Sequence, residues 1–183
     1  MVYITGGKEL LDPIKIFNRL GVTIGSKVAD LGCGGAGHFI VPAARLVGNN
    51  TVVYGVDILK SALRAVITKG RLEGVNNIKP VWSDLEVVGA TRIPEGSLDF
   101  ALIINNLFQT KKPENFLREA MRLIKKTGKI LVIDWDQSAP YFGPPLDSRV
   151  KKEQVKKIAA DLKLKLIDEF MAGTYHYGLV FNK

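Results

Sequence analysis

Cysteine is almost absent from this chain of 183 residues: Cys33 stands alone. One thiol excludes an internal disulfide and any cysteine-based metal cluster. Histidine is nearly as scarce. His38 and His176 are isolated in sequence, so zinc-ligand spacing is lacking and no metal site is expected. No apolar run is long enough to span a bilayer. The first residues, Met1-Val-Tyr-Ile-Thr-Gly-Gly-Lys8, lack a signal-peptide pattern, and a cytoplasmic protein is the expectation. Internal repeats and domain boundaries are lacking too. A single domain over 1–183 is expected, with an N-terminal arm and helix over 1–26 and a core over 27–183. Hydrophobic residues at 46% and charged residues at 24% suit a soluble globular protein of this length.

Acidic residues are the minority charge: 18 against 26 lysines and arginines, a formal net charge of +8. Such a balance suits either attraction to nucleic acid or an anionic membrane, or a lysine-rich solvated surface. The lysines are spread along the chain, and no run interleaves them with aromatics. The densest group, Lys151, Lys152, Lys156 and Lys157, falls on one expected helix. The solvated-surface reading is favoured.

Glycine, by contrast, is concentrated where it matters. Lys27-Val-Ala-Asp30-Leu-Gly32-Cys-Gly34-Gly35-Ala36-Gly37-His38 reads as a buried strand running into a glycine-rich turn that opens a helix over Phe39 to Val47. Glycines let the backbone approach a ligand closely. The free N–H groups of the helix start then face that ligand. Gly32, Gly34 and Gly37 satisfy G-x-G-x-x-G, a weak signal by itself. Ala36 and Gly37 allow two registers for this turn.

Elements follow in alternation. Asp12-Pro13 suits an N-cap and a first-turn proline, with Ile14, Phe17 and Leu20 on one face and Gly21 as the stop. Thr51 to Ile58 is a β-branched strand ending in Asp57, and a helix follows from Leu59 to Glu73. Ile78 to Asp84 is a weaker strand that Pro80 moves toward an edge. Ser97 to Asn106 is strongly buried. Pro113 opens a helix to Lys126, and Lys129 to Trp135 is a fifth strand. A proline- and glycine-rich loop spans 136–147. After it come a helix bearing Val155, Ile158, Ala159 and Leu162, then Leu164 to Met171 and Tyr175 to Phe181, joined at Gly173-Thr174 as an antiparallel pair. Alternating strands and helices imply an α/β fold, a mostly parallel sheet with helices on both faces. Ligands in such sheets bind at the carboxyl ends of the strands. Asp30, Asp57, Asp84, Asn105, Asp134 and Trp135 share that edge.

A nicotinamide cofactor and S-adenosylmethionine compete for such a site. An acid 25 positions past Gly32, Asp57, suits the ribose of either. Asp30 separates them. A nicotinamide dinucleotide puts an anionic pyrophosphate at the glycine turn, where a carboxylate repels it. S-adenosylmethionine brings an ammonium and a sulfonium, which Asp30 favours. Asp84 can accept from the adenine amino group.

These residues resemble the class I S-adenosylmethionine-dependent methyltransferases. Val28-Ala-Asp-Leu-Gly-Cys-Gly34 is similar to their first motif, Val53-Tyr-Gly-Val-Asp57 to the ribose motif, and Trp82-Ser-Asp84 to the adenine motif. Asn105-Asn-Leu-Phe-Gln109, Leu131-Val-Ile-Asp-Trp135, Gly143-Pro-Pro145 through Arg149, and Gly173 to Phe181 are similar to the small, type 11-like group related to the ubiquinone and menaquinone methylating enzymes. The resemblance covers nearly the whole chain. It implies a Rossmann-like, seven-stranded sheet with the last strand antiparallel, and S-adenosylmethionine as cofactor with S-adenosylhomocysteine as product. It also implies a cofactor site of Asp30, Gly32, Cys33, Gly34, Gly37, His38, Asp57, Ile58, Ser83, Asp84, Leu85 and Asn105. The chain departs from many relatives in carrying Phe108 where they have a histidine. A lone cysteine argues against arsenite as substrate, and the lack of Asn-Pro-Pro-Tyr argues against adenine in DNA.

Direct methyl transfer needs the nucleophile held in line with the methyl carbon, and a general base only where the nucleophile must lose a proton. His176 is the candidate base; otherwise it is an aromatic wall or a structural residue. Phe108, Trp135, Tyr141, Arg149 and His176 are the candidate substrate-pocket residues. Trp135 either lines that pocket or simply packs, and Arg149 either binds an anionic group or sits on the surface. His38 either touches the methionine carboxylate or faces solvent. With no inserted or appended recognition domain in 183 residues, the expectation is a small-molecule acceptor, or a partner that completes the site. The alternative is a nucleic-acid methyltransferase or a basic nucleic-acid-binding module. The sequence does not specify the acceptor or the oligomeric state.

Overall fold

A computed structural model describes residues 10–138 and 143–183. Helix α1 (Pro13–Leu20) starts where the sequence places it: the Asp12 side chain accepts from the N–H groups of Ile14 and Lys15, and Gly21 closes the helix in a left-handed conformation. Strand β1 (Val28–Leu31), α2 (Ile40–Val47), β2 (Val53–Asp57), α3 (Lys60–Leu72), β3 (Ile78–Trp82), β4 (Leu98–Ile104), α4 (Pro113–Leu123), β5 (Ile124–Trp135), α5 (Lys152–Asp161), β6 (Lys165–Gly173) and β7 (His176–Asn182) follow.

The seven strands form one sheet in the order β3-β2-β1-β4-β5-β7-β6. β1 to β5 run parallel, and β7 lies antiparallel between β5 and β6. β3, the strand carrying Pro80, is at an edge as expected, and the final hairpin pairs antiparallel as the Gly173-Thr174 turn requires. Alternate residues of the central strands feed two cores. Ala29, Leu31, Ala101, Ile103, Ile130 and Val132 meet Leu117, Ala120, Val155 and Ala159 of α4 and α5. Val28, Phe100, Leu102, Leu131 and Ile133 meet Phe17, Leu20, Ile40 and Val66 of α1, α2 and α3. Both faces are covered, which is why β1 and β4 read as near-continuous apolar runs.

One boundary differs from the sequence expectation. Helix α4 stops at Leu123 rather than at Lys126, and β5 starts at Ile124, which pairs with Leu98 before the register shifts. The apolar stripe of the helix runs straight into an apolar strand residue, so periodicity alone does not mark the change.

Candidate functional site

The sheet reverses its strand order between β1 and β4, and a cavity of about 780 Å³ opens along the carboxyl ends of β1 to β4. The glycine turn forms one wall. Gly32, Cys33, Gly34, Gly35 and Ala36 line it. Gly37 does not; the place a side chain would take there faces Val41, Val66 and Lys69. The place of a Gly37 side chain thus faces α2 and α3, and the turn before it faces the cavity.

Asp30, one residue before the end of β1, lies in the cavity wall, 4% exposed. No donor among the described residues hydrogen-bonds its carboxylate. Burial, reinforced by the charge of Asp57, pushes its pKa up to about 7. Asp57 is engaged instead: its Oδ2 accepts from the Gly34 N–H at 2.9 Å and its Oδ1 from the Leu59 N–H at 2.8 Å. It ties the end of β2 to both the glycine turn and the start of α3. Each of its oxygens retains a second acceptor position. Burial and the charges of Asp30 and Asp57 push the Cys33 thiol well up, so it stays neutral and unreactive.

His38 lines the cavity but is already occupied, giving Nε2–H to the Leu11 carbonyl at 3.0 Å. That bond anchors the segment before α1 to the glycine turn, and Leu11 becomes part of the wall. Beyond β2, Ile58 lines the cavity; beyond β3, Ser83, Asp84 and Leu85 do so. The Ser83 hydroxyl meets that of Thr91 at 3.3 Å, and Asp84 Oδ1 accepts from the Glu86 N–H at 2.8 Å.

Beyond β4 the backbone is strained. Asn105 adopts φ 54, a left-handed conformation uncommon outside glycine, and its Oδ1 is buried without a partner among the described residues. Two residues hold it there. The Asn106 amide donates to the carbonyls of Leu31 and Gly32 at 3.1 Å each and of Ile104 at 2.8 Å. Gly32 is required beneath it: with φ 84, a Cβ at that position would lie 2.3 Å from Asn106 Oδ1. Asp134 is fully buried at the end of β5 and accepts from the N–H groups of Leu107 at 2.9 Å and Trp135 at 2.8 Å. Burial raises its pKa to about 6.

Asn106, Glu86, Gln109 and Thr110 also line the cavity; Asn106 and Gln109 fall in the stretch Asn105–Gln109 that carries the family resemblance, and none of the four was named as a site residue from the sequence. Glu86 Oε1 accepts from the Thr110 hydroxyl at 2.5 Å and the Lys111 N–H at 3.3 Å, stitching the loop after β3 to the loop after β4. Glu86 and Thr110 carry no sequence signal beyond their place after a strand end.

A second group forms two strands away. Trp135 and His176 are opposite each other in the β5–β7 register, their rings 4.2 Å apart. The Arg149 guanidinium lies 5.8 Å from the Trp135 ring and donates to the carbonyls of Pro144 at 3.0 Å and Asp136 at 2.5 Å. His176 is 1% exposed, and neither ring nitrogen has a hydrogen-bond partner among the described residues. Burial, together with the charge of Arg149, lowers its pKa to about 4, so the ring is neutral near pH 7. Three of the candidate substrate residues therefore meet, but not in the cavity wall. Phe108 sits on the turn Leu107–Gln109 and is likewise outside that wall. Tyr141 lies outside the described residues.

Comparison with known proteins bears on what this arrangement is. Residues 23–174 match the family model described as a methyltransferase domain. The chain is 34% identical over 125 residues to the ubiquinone/menaquinone biosynthesis C-methyltransferase UbiE of Pasteurella multocida, covering 68% of this chain and 44% of that protein. The Cronobacter sakazakii counterpart is 34% identical over 125 residues, covering 68% and 47%. The chain thus spans about half the length of these relatives. Among solved structures, a SAM-dependent methyltransferase from Aquifex aeolicus superposes with TM-score 0.86 at 24% identity, over 95% of this chain and 90% of that one. A TehB-like SAM-dependent methyltransferase from Corynebacterium glutamicum gives 0.71 at 17% identity, over 93% and 86%. These two likenesses concern the fold. On the match over 23–174, the chain belongs to the methyltransferase domain family.

Proposed function

We propose that the protein is an S-adenosylmethionine-dependent methyltransferase that acts on a small-molecule acceptor by direct, in-line transfer. One observation carries this reading. The cavity wall holds Asp30, Asp57, Asp84 and Glu86 and, among the described residues, no lysine or arginine. A ligand of that wall brings hydrogen-bond donors and positive charge, not phosphate. S-adenosylmethionine fits: its ammonium suits the unpaired Asp30, its ribose hydroxyls suit Asp57, and its adenine amino group suits the loop at Asp84. The orphaned Asn105 Oδ1 is a further acceptor awaiting a donor. A volume of about 780 Å³ falls within the usual range for small-ligand sites, roughly 300–1,000 Å³.

When bound, the cofactor supplies a methyl group on a sulfonium, already a good leaving group. The chain's own residues position and exclude. Asn106 and Asp134 fix the loop that holds Asn105, and Leu11, His38 and Phe39 close the wall near the glycine turn. No acceptor contact is assigned to Phe108, Trp135, Arg149 or His176, which lie outside the cavity wall. The relatives' activity as C-methyltransferases of ubiquinone and menaquinone biosynthesis supports a small acceptor. Nucleic acid is disfavoured, because its phosphates would approach four carboxylates.

Calorimetric titration with S-adenosylmethionine tests the cofactor, and labelled-methyl transfer to small-molecule extract tests the acceptor. Binding that is lost in Asp57→Ala is the expected result. No binding by the native chain overturns the reading. Transfer to RNA in preference to small molecules, weakening steeply with salt, overturns the acceptor class.

A further inference from the structure

The densest lysine group of the sequence is not where free positive charge gathers: Lys152 and Lys156 of α5 are engaged by Glu169. The fold collects other lysines along the amino edge of the sheet, opposite the cavity. Lys27 precedes β1, and Lys165 opens β6 beside Asn182 of β7, with Lys129 of β5 beyond it. Between the pairs Leu98–Ile124 and Phe100–Lys129 the register shifts, so residues 125–128 form an irregular bulge that carries Lys125 and Lys126 at that edge. Lys163 follows α5 in a left-handed conformation, φ 62, where glycine is the usual residue. Lys126, Lys163 and Lys165 are exposed and form no ion pair among the described residues. Most acids of this edge are engaged. Asp99 accepts from Lys125 Nζ at 2.6 Å and from the Lys27 N–H at 2.9 Å, Glu73 accepts from Arg45 at 3.1 Å, and Glu95 faces Arg122. Asp161, at the end of α5, remains.

The same edge carries bare apolar side chains. Ile24 is 84% and Leu72 83% exposed, the two most exposed large apolar residues among those described. Both lie where the chain returns to the amino ends of the strands. Ile24 stands before β1, against Gly48 at the end of α2, and Leu72 is the last residue of α3. Asn77, before β3, ties these returns together by giving its amide to the carbonyls of Ala44, Gly48 and Thr51. Single exposed apolar residues are ordinary. Two at the extreme of exposure, beside a row of free lysines, suit a surface that enters a lipid headgroup layer. We propose that the amino edge of the sheet docks on an anionic lipid bilayer: Ile24 and Leu72 enter the headgroup region, and Lys27, Lys126, Lys163 and Lys165 meet the lipid phosphates.

The lysines select the sign of the partner, and the apolar tips select its kind. RNA would use the lysines and leave Ile24 and Leu72 in water. The edge also offers RNA no ring for a base to stack on: the exposed aromatic side chain among the described residues, Trp82, ends β3 on the opposite edge. Docked in this way, the cavity at the carboxyl ends of the strands opens away from the lipid, and its ligands arrive from water. The inference is independent of the cofactor reading given under Proposed function.

The test is flotation of the native chain with vesicles of phosphatidylcholine alone and of phosphatidylcholine with phosphatidylserine. Binding to the anionic vesicles should exceed binding to the neutral ones by at least roughly tenfold, since each lysine near such a surface contributes about fivefold. It should weaken as salt shortens the reach of charge from about 10 Å at 0.1 M to about 3 Å at 1 M. Lys126→Gln with Lys165→Gln should weaken it by roughly tenfold or more. Lys112→Gln with Lys151→Gln, the same charge change at the cavity edge, should weaken it far less. Ile24→Ser with Leu72→Ser should weaken it by roughly tenfold. Both tryptophans, Trp82 and Trp135, end strands on the cavity edge, so brominated lipid should leave the fluorescence of the bound protein unquenched. No binding to anionic vesicles, or equal binding to neutral ones, overturns the proposal without any variant, and so does an equal loss from the two lysine pairs. Unchanged binding of the serine variant, or tighter binding to single-stranded RNA than to the vesicles, overturns lipid as the partner. Quenched tryptophan fluorescence overturns the orientation.

Discussion

Asp30→Asn should stabilise the empty protein, and by an amount that depends on pH. The folded chain holds the Asp30 pKa at about 7 against an ordinary 3.8. Between those values the folded chain keeps a proton that the unfolded chain has lost. Stability therefore falls as pH rises through this window, by about 1.4 kcal/mol per pH unit, and levels off above pH 7. The total is on the order of 4 kcal/mol, a sizeable part of the roughly 5–15 kcal/mol by which domains are stable. An asparagine does not titrate, so the variant escapes this loss. Urea unfolding of both chains from pH 4 to pH 8, without ligand, measures it. With a slope of about 2 kcal/mol/M, the gap between midpoints should widen by roughly 2 M from the acid end to pH 8. Effects of Asp134 and His176 are common to both chains and cancel in the difference. A gap that stays constant across the range refutes the claim that Asp30 is buried without a partner.

Gly32→Ala should cost about 2–4 kcal/mol and abolish cofactor binding, since the added Cβ meets Asn106 at 2.3 Å in a positive-φ conformation; unchanged thermal melting would contradict this. The His176 ring, with its pKa near 4, should show flat NMR shifts from pH 8 down to pH 5. Because the unfolded ring protonates first, this residue should withdraw stability as pH falls from about 6.5 to 4, and a ring midpoint near 6.5 would show that it is not buried unpaired. Glu119 is fully buried and accepts from the Gly89 and Thr91 N–H groups and from Arg122. Glu119→Ala leaves those donors unpaired and should cost about 3 kcal/mol by urea unfolding, with Glu119→Gln recovering part; equal stability of all three chains would refute that role.

What the sequence made legible was what local chemistry decides. Asp12 and Gly21 mark both ends of α1 by side-chain and backbone geometry that acts within three residues. Strand alternation and the acids at strand ends followed from β1, β2 and β3, so Asp30, Asp57 and Asp84 were found before any coordinates. Asn106 and Asp134 were not found in their roles, because they act on backbone groups far away in sequence. Asn106 reaches the Leu31 and Gly32 carbonyls across 75 and 74 positions, and Asp134 reaches the Leu107 N–H across 27. A lone sequence contains no sign of such pairings. Gly37 shows the reverse case. It completes the glycine pattern, yet the place of its side chain faces α2 and α3 and not the cavity.

The net charge of +8 describes the surface and misdescribes the site. Much of the surface charge is spent locally, as in Arg19 with Asp168 and Lys152 and Lys156 with Glu169. Four of the 18 acids gather in one cavity, and none of the basic residues described there joins them. Exposed charges lose their reach within about 10 Å at ordinary ionic strength, whereas charges in a walled cavity are screened far less. The ligand at the bottom of the cavity therefore responds to Asp30 and its neighbours, not to the lysines outside. A basic protein can thus hold a cation-seeking site. The same separation explains why Asp30 mattered more than the glycines in distinguishing cofactors: the turn admits any ligand that comes close to the backbone, and the sign of charge beside it decides which one stays.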